Sequence, residues 1–174
     1  MLFTDLETKR LYLKKVDEED RLFLYQLFSN REVSKYIFDI ELMQKITDVD
    51  KLLNVYIEPE PRNHQRWIIT QILDNAKIGG CSLTNWDKAN GTVDISYLML
   101  EEFRGFGYMQ EVAEEVIKFA MERLNVIEIN TEIFIENERS IKLAEKLGFI
   151  LTDKKMLKRD RKEYPHYVYT LKNH

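Results

Sequence analysis

The chain has 174 residues, which predicts one domain with one sizeable core, and its 44% hydrophobic and 32% charged residues with only three prolines exclude a disordered or fibrous chain. Twenty-six basic against thirty acidic side chains give a formal net charge of -4, which argues against bulk nucleic-acid binding. No apolar run approaches the ~20 residues of a bilayer span, and the start, Met1-Leu2-Phe3-Thr4-Asp5-Leu6-Glu7, has no basic stretch leading into an apolar one, so a cytoplasmic protein without membrane contact is expected. Cys81 is the only cysteine, and His64, His166 and His174 lack ligand spacing, so neither a disulfide nor a metal site is expected.

In chain order, partial alternation over 11–16 predicts a half-buried strand. A helix follows, capped by Asp17, with Glu18, Glu19 and Asp20 at its positive end and Leu22, Phe23, Leu27 and Phe28 at helical spacing, until Ser29-Asn30 breaks it. Short helices are predicted over 32–37 and 48–57, the latter ending before Pro59 and Pro61. Strands over 67–72, 77–83 and 92–99, separated by turns at Asp74-Asn75 and 87–91, make an antiparallel meander. Val112, Val116, Ala120 and Leu124 mark a helix face lasting to Asn125. A strand over 126–134, a helix over 139–147 stopped by Gly148, a strand from Phe149 and a last strand over 164–171 complete the order. The implied fold is α/β (α+β): a single domain over 1–174 with a mixed, mostly antiparallel central sheet flanked by helices.

The informative segment is Leu98-Met99-Leu100-Glu101-Glu102-Phe103-Arg104-Gly105-Phe106-Gly107-Tyr108-Met109, between a strand and an amphipathic helix. Two glycines one residue apart let successive N–H groups point outward, and the following helix adds its dipole and first-turn donors, which together suit a diphosphate. Arg104 can add a charge-assisted contact. A tight strand-to-helix turn also needs glycine for purely steric reasons, so both explanations stand at this point. A dinucleotide fingerprint is excluded by the missing third glycine, and a P-loop by the absence of Gly-Lys-Ser or Gly-Lys-Thr.

A second segment, Asn137-Glu138-Arg139-Ser140 through Lys146-Leu147-Gly148-Phe149, reads locally as a capped helix. One helix plus one strand separate it from the first segment, which places both helix N-termini on the same side of a sheet, where they can line one ligand site. With these residues in view the chain resembles the GNAT superfamily of acetyl-CoA-dependent N-acetyltransferases. Arg104, Gly107 and, imperfectly, Met109 match the family's Arg/Gln-x-x-Gly-x-Gly/Ala pattern. Gly105, Tyr108, Glu111, the opening Glu7-Thr8-Lys9-Arg10-Leu11, Glu19-Asp20, and the two segments around Asn137 and Gly148 look like the Rim-type ribosomal-protein N-acetyltransferase branch.

The resemblance implies acetyl-CoA as co-substrate, its pyrophosphate held by the N–H groups of Gly105, Phe106, Gly107, Tyr108 and Met109 with Arg104 nearby. It implies its pantetheine arm along the backbone of Leu98, Met99 and Leu100, with Asn137 bonding that arm and Ser140 near the thioester sulfur. Transfer to an amine needs a base and gains from an acid. For the base the resemblance points to Asp94, with Glu163 as rival and Glu132 as outsider. The family's usual tyrosine acid is replaced by Ala144, leaving Ser140 or one of Tyr164, Tyr167 and Tyr169. Cys81 is expected in the core rather than as a nucleophile. The acceptor, a protein N-terminus or a small-molecule amine, would lie between the N-terminal helices and the C-terminal hairpin. There the acidic Asp39, Glu41, Glu58 and Glu60 and the aromatic Tyr36, Phe38, Tyr56 and Trp86 are candidates beside ordinary surface and core roles. Direct transfer in a ternary complex is expected, with a catalytically silent acyl-CoA-binding regulatory module as the alternative, and the branch leaves monomer and homodimer open.

Overall fold

The computed structural model describes residues 2–38 and 40–173, so Asp39 and His174 lie outside the described residues. In chain order the elements are β1 (Leu6–Glu7), β2 (Leu11–Lys15), α1 (Arg21–Ser29), α2 (Arg31–Ser34), α3 (Val49–Tyr56), β3 (Gln65–Gln71), β4 (Lys77–Asp87), β5 (Thr92–Met99), α4 (Tyr108–Arg123), β6 (Glu128–Phe134), α5 (Glu138–Lys146), β7 (Ile150–Arg159) and β8 (Lys162–Lys172). The strands form one sheet in the order β1-β2-β3-β4-β5-β6-β8-β7, antiparallel throughout except between β5 and β6.

That parallel contact decides the shape of the molecule. Only Thr92, Val93 and Asp94 pair with β6, opposite Glu128, Ile129 and Asn130. Beyond Asp94 the strands part: β5 keeps its ladder with β4 up to Gly79 opposite Met99, while β6 runs on beside β8. The second half of β5 therefore keeps an open hydrogen-bonding edge on the side facing β6.

One face of the sheet packs on α4 through Phe3, Trp67, Phe119 and the buried stripe Val112, Val116 and Ala120. The other face packs on α1 and α3 through Phe28, Leu24, Leu53 and Ile68. In α1 the inward stripe is Phe23, Leu24, Leu27 and Phe28; Leu22, expected on it, is exposed. Asp17 caps the first turn by accepting from the Glu19 N–H, and Asp20 returns the bond to the Asp17 N–H. Asp20 is fully buried and is held by Lys77 of β4 at 2.6 Å and Lys14 of β2 at 3.5 Å, which pins the start of α1 to the sheet.

Besides shifts of one or two residues at element ends, the structure differs from the sequence pattern in these places. β1 is a two-residue strand that composition cannot signal. The second helix is a single turn, Arg31–Ser34, set by Asn30 accepting from the N–H groups of Glu32 and Val33, not a helix over 32–37. α4 opens at Tyr108, immediately after the glycine loop and before its first buried position. β4 continues past residue 83 to Asp87 through a register shift at which Asn85 takes a φ of 53°.

Candidate active site

A groove of about 1030 Å³ runs along the open edge of β5. It is walled by Tyr97, Leu98 and Met99, by Glu101, Phe103 to Gly105 and Gly107 to Gln110 of the loop and helix start, by α5 from Asn137, and by residues between Glu32 and Ile37 of the N-terminal layer, while the expected Leu100 and Phe106 stand off the wall. Its size falls at the upper end of small-molecule sites. The structure thus brings together the two segments singled out in the sequence.

The loop is shaped by two left-handed glycines, Gly105 with φ of 86° and Gly107 with φ of 78°. A β-carbon on Gly105 would meet nothing within 4 Å, so its glycine answers to backbone conformation alone. Gly107 is the N-cap of α4 and supplies no side-chain acceptor, which leaves the first-turn N–H groups of a sixteen-residue helix facing outward. The residues present suit a diphosphate.

A clasp holds the loop in this form. Glu111, in the first turn of α4, accepts from the Thr8 hydroxyl at 2.6 Å, from the Arg10 N–H at 2.9 Å and from Arg10 Nε at 2.7 Å. Burial pushes its carboxyl up, but Thr8 and Arg10 together hold it below the usual glutamate range. Arg10 also donates to the Phe106 carbonyl at 3.0 Å and lies 4.5 Å from the centre of the Tyr108 ring. Arg104 lines the groove, with Nε donating to the Met99 carbonyl at 3.1 Å and Nη2 to the Glu32 carbonyl at 3.3 Å; it ties the strand end to the N-terminal layer.

On the opposite wall Asn137 does what its local sequence suggests, accepting from the Ser140 N–H at 3.3 Å, and both residues also line the groove. Ser140 neighbours Tyr97, a residue the sequence did not single out. The Tyr97 hydroxyl is buried without a hydrogen bond of ordinary geometry, and burial raises its pKa, with Ser140 acting weakly the other way. Tyr97 follows the exposed Ser96 on an alternating strand, a pattern that carries no local signal of a site. Ala144 is buried in the core against which Tyr97 packs.

Asp94 sits at the fork where β5 leaves β6, on the α1–α3 face of the sheet, and is not part of the groove wall. It is half-buried, accepts from Asn85 Nδ2 at 2.8 Å across the β4 bulge, and has a raised pKa. Burial is the main cause, opposed by Asn85 and reinforced by Glu132. Glu132 is ion-paired with Lys155. Glu163 is exposed near the hairpin turn, 3.6 Å from Lys158, and also stands off the groove wall. Tyr169 donates to Glu145 at 3.1 Å, while the Tyr167 ring lies 5.9 Å from Lys154. Cys81 is fully buried, and desolvation pushes its thiol up to about 12, which keeps it protonated in the core.

The acceptor candidates separate. Tyr36, Phe38, Phe134, Tyr164 and His166 form one ring cluster, with Phe38 4.7 Å from His166 and 4.9 Å from Tyr164. Trp86 instead packs against Phe3 in the α4-side core. Glu60 accepts from the N–H groups of Leu2 and Phe3, anchoring the N-terminal segment.

Comparison with known proteins fixes the family. Residues 10–150 match the acetyltransferase (GNAT) domain. The chain belongs to the GNAT acetyltransferase family. This GNAT chain is 31% identical over 146 residues to the uncharacterized N-acetyltransferase p20 of Bacillus licheniformis, covering 83% of this chain and 81% of p20. It is 26% identical over 149 residues to the uncharacterized N-acetyltransferase YoaA of Bacillus subtilis, covering 85% and 84%. Among solved structures, spermidine N-acetyltransferase from Vibrio cholerae in complex with CoA and spermine superposes with a TM-score of 0.83 at 18% identity over 93% of this chain and 95% of that one. No described helix is long and apolar enough to cross a membrane.

Proposed function

We propose that the protein is a cytoplasmic enzyme that moves the acetyl group of acetyl-CoA to a primary amine, on a protein N-terminus or a small molecule, by direct attack in a ternary complex. The observation that carries this is the continuity of the groove: glycine cradle, open β5 edge and α5 N-terminus line one channel. When bound, acetyl-CoA supplies a thioester carbonyl for the amine to attack.

The N–H groups from Gly105 to Met109 hold the diphosphate, and the Thr8–Arg10–Glu111 clasp keeps them aimed. The side chain of Met109 departs from the small residue usual in the family, but its N–H is the part an anion needs. The β5 edge at Leu98 and Met99 orients the arm, with Asn137 bonding it from α5; the Leu100 N–H, expected to join them, is taken by the Ile78 carbonyl. Asp94 takes the proton of the attacking amine, directly or through water; its half-burial and raised pKa favour it over the exposed, lysine-paired Glu163. The hydroxyls of Ser140 and Tyr97 stabilise the departing sulfur, in place of the helix tyrosine that Ala144 replaces.

That replacement also supports a second possibility, an acyl-CoA-binding module without turnover. An acetyl-CoA turnover assay over amines and peptides, with coenzyme A binding followed by thermal shift, separates the two. Thiol release that depends on an amine supports the transferase; tight binding without turnover overturns it in favour of the module, and no stabilisation by coenzyme A overturns both.

A further inference from the structure

Arg66, at the start of β3, is 5% exposed, yet its Nε and Nη1 are buried without a hydrogen-bond partner. Its guanidinium lies between two rings, with Cζ 5.4 Å from the centre of Phe28 in α1 and 4.8 Å from that of Tyr56 in α3. Gly80 of β4 lies beside it: a β-carbon there would stand 3.5 Å from Nη1, in ordinary contact. Aromatic faces offset part of the desolvation of a buried cation but leave its N–H groups without acceptors. Among the described residues no carboxylate pairs with it.

The register says where this cation stands. Arg66 is opposite Ser82 and Ser82 is opposite Ser96, with the two serine hydroxyls 3.0 Å apart. The three side chains form a polar row on the α1–α3 face, the face that carries Asp94. The row ends at the open edge of β5 and spans two strand spacings, roughly 10 Å. One guanidinium beside two serine hydroxyls balances a monoanion, which at neutral pH is a carboxylate; a phosphate dianion would leave one charge uncompensated.

Building on the proposed amine acetylation, we propose that Arg66 binds a carboxylate on the acceptor, so that the substrate class is amino acids rather than polyamines. The acceptor's amine sits at the β5 fork, and its carboxylate lies along the serine row toward the guanidinium.

The test compares wild type with Arg66→Met and Arg66→Lys. Thermal shift, with and without coenzyme A, is recorded against the common L-amino acids, their carboxamides and spermidine, and the same panel is run for turnover. At least one amino acid is expected to bind wild type about 30-fold or more tightly than its carboxamide, that ratio falling to near one in Arg66→Met and recovering partly in Arg66→Lys. Ligand-free Arg66→Met should melt no lower than wild type, because it removes an uncompensated charge. The proposal is overturned if no amino acid outbinds its amide, if Arg66→Met keeps the preference, or if ligand-free Arg66→Met melts well below wild type, which would show that the protein already compensates the cation. Carboxylate binding without turnover of any amine would overturn the transferase and support the anion site; turnover of spermidine without carboxylate preference would do the reverse.

Discussion

The two sides of the central sheet are built by different means. On the groove side the polar groups on offer are mostly backbone: glycine torsions, helix N-termini and an open strand edge, with side chains such as Glu111 and Arg104 serving to hold carbonyls and N–H groups in place. On the α1–α3 side they are side chains: Arg66 in the buried layer, Asp94 half-buried at the fork, and the rings of Phe38, Phe134, Tyr164 and His166. A backbone site tolerates variation of its side chains and keeps one ligand; a side-chain site changes its ligand when a few residues change. The first accords with a shared co-substrate and the second with acceptors that differ between relatives.

Substitutions can break that contrast. The largest effect is expected from Asp94→Asn, with kcat falling about 10²- to 10⁴-fold while the coenzyme A dissociation constant stays put. Because the Asp94 pKa is raised, the acid limb of wild-type kcat/KM should lie above the ordinary aspartate range, and the rate should drop as pH falls through it. The stability sign is opposite: a carboxyl raised on folding favours the native state below its unfolded pKa and loses that contribution as pH rises through the folded one, so Asp94→Asn should not lower the melting temperature at neutral pH. Equal losses in binding and turnover would end the division between the two sides.

Asp20→Ala should destabilise the protein by about 3–5 kcal/mol in urea unfolding, since it leaves Lys77 and Lys14 facing a vacated buried site. A loss below 1 kcal/mol would show that the helix layer is not pinned there. Gly107→Val forces a β-branched residue to a φ of 78° and should weaken coenzyme A binding about 10- to 100-fold by calorimetry, with acceptor KM little changed. Unaltered binding would remove the glycine cradle from the site. The smallest effect is expected from Glu111→Gln, which keeps the shape of the clasp but not its charge and should weaken coenzyme A binding about threefold to tenfold.

The same division explains what could be read in the sequence. Glycine pairs, Asn137 and the amphipathic stripe of α4 are local signals, and they mark the loop and the α5 side of the groove, although Leu100 and Phe106, expected with them, stand off its wall. Arg66 and Tyr97 gave no such signal. Each becomes distinctive only through tertiary placement: strand register sets Arg66 opposite Ser82, and the packing of α5 brings Ser140 to Tyr97. The bulge that carries Asn85 to Asp94 is likewise invisible locally, because it depends on how far β4 continues beside β5. Leu22 was misplaced because helical spacing alone does not say which side of a short helix meets the sheet.

The parting of β5 from β6 has a mechanical side. The eight strands behave as two leaves, β1 to β5 and β7 with β8 and β6, stitched along a seam of three residue pairs from Thr92 to Asp94. Asp94 is the last stitch, and beyond it the two leaves part along the open edge. Under the proposed mechanism the general base is thus the residue that ends the seam, and a change of packing on either leaf is expected to be felt first at that carboxylate.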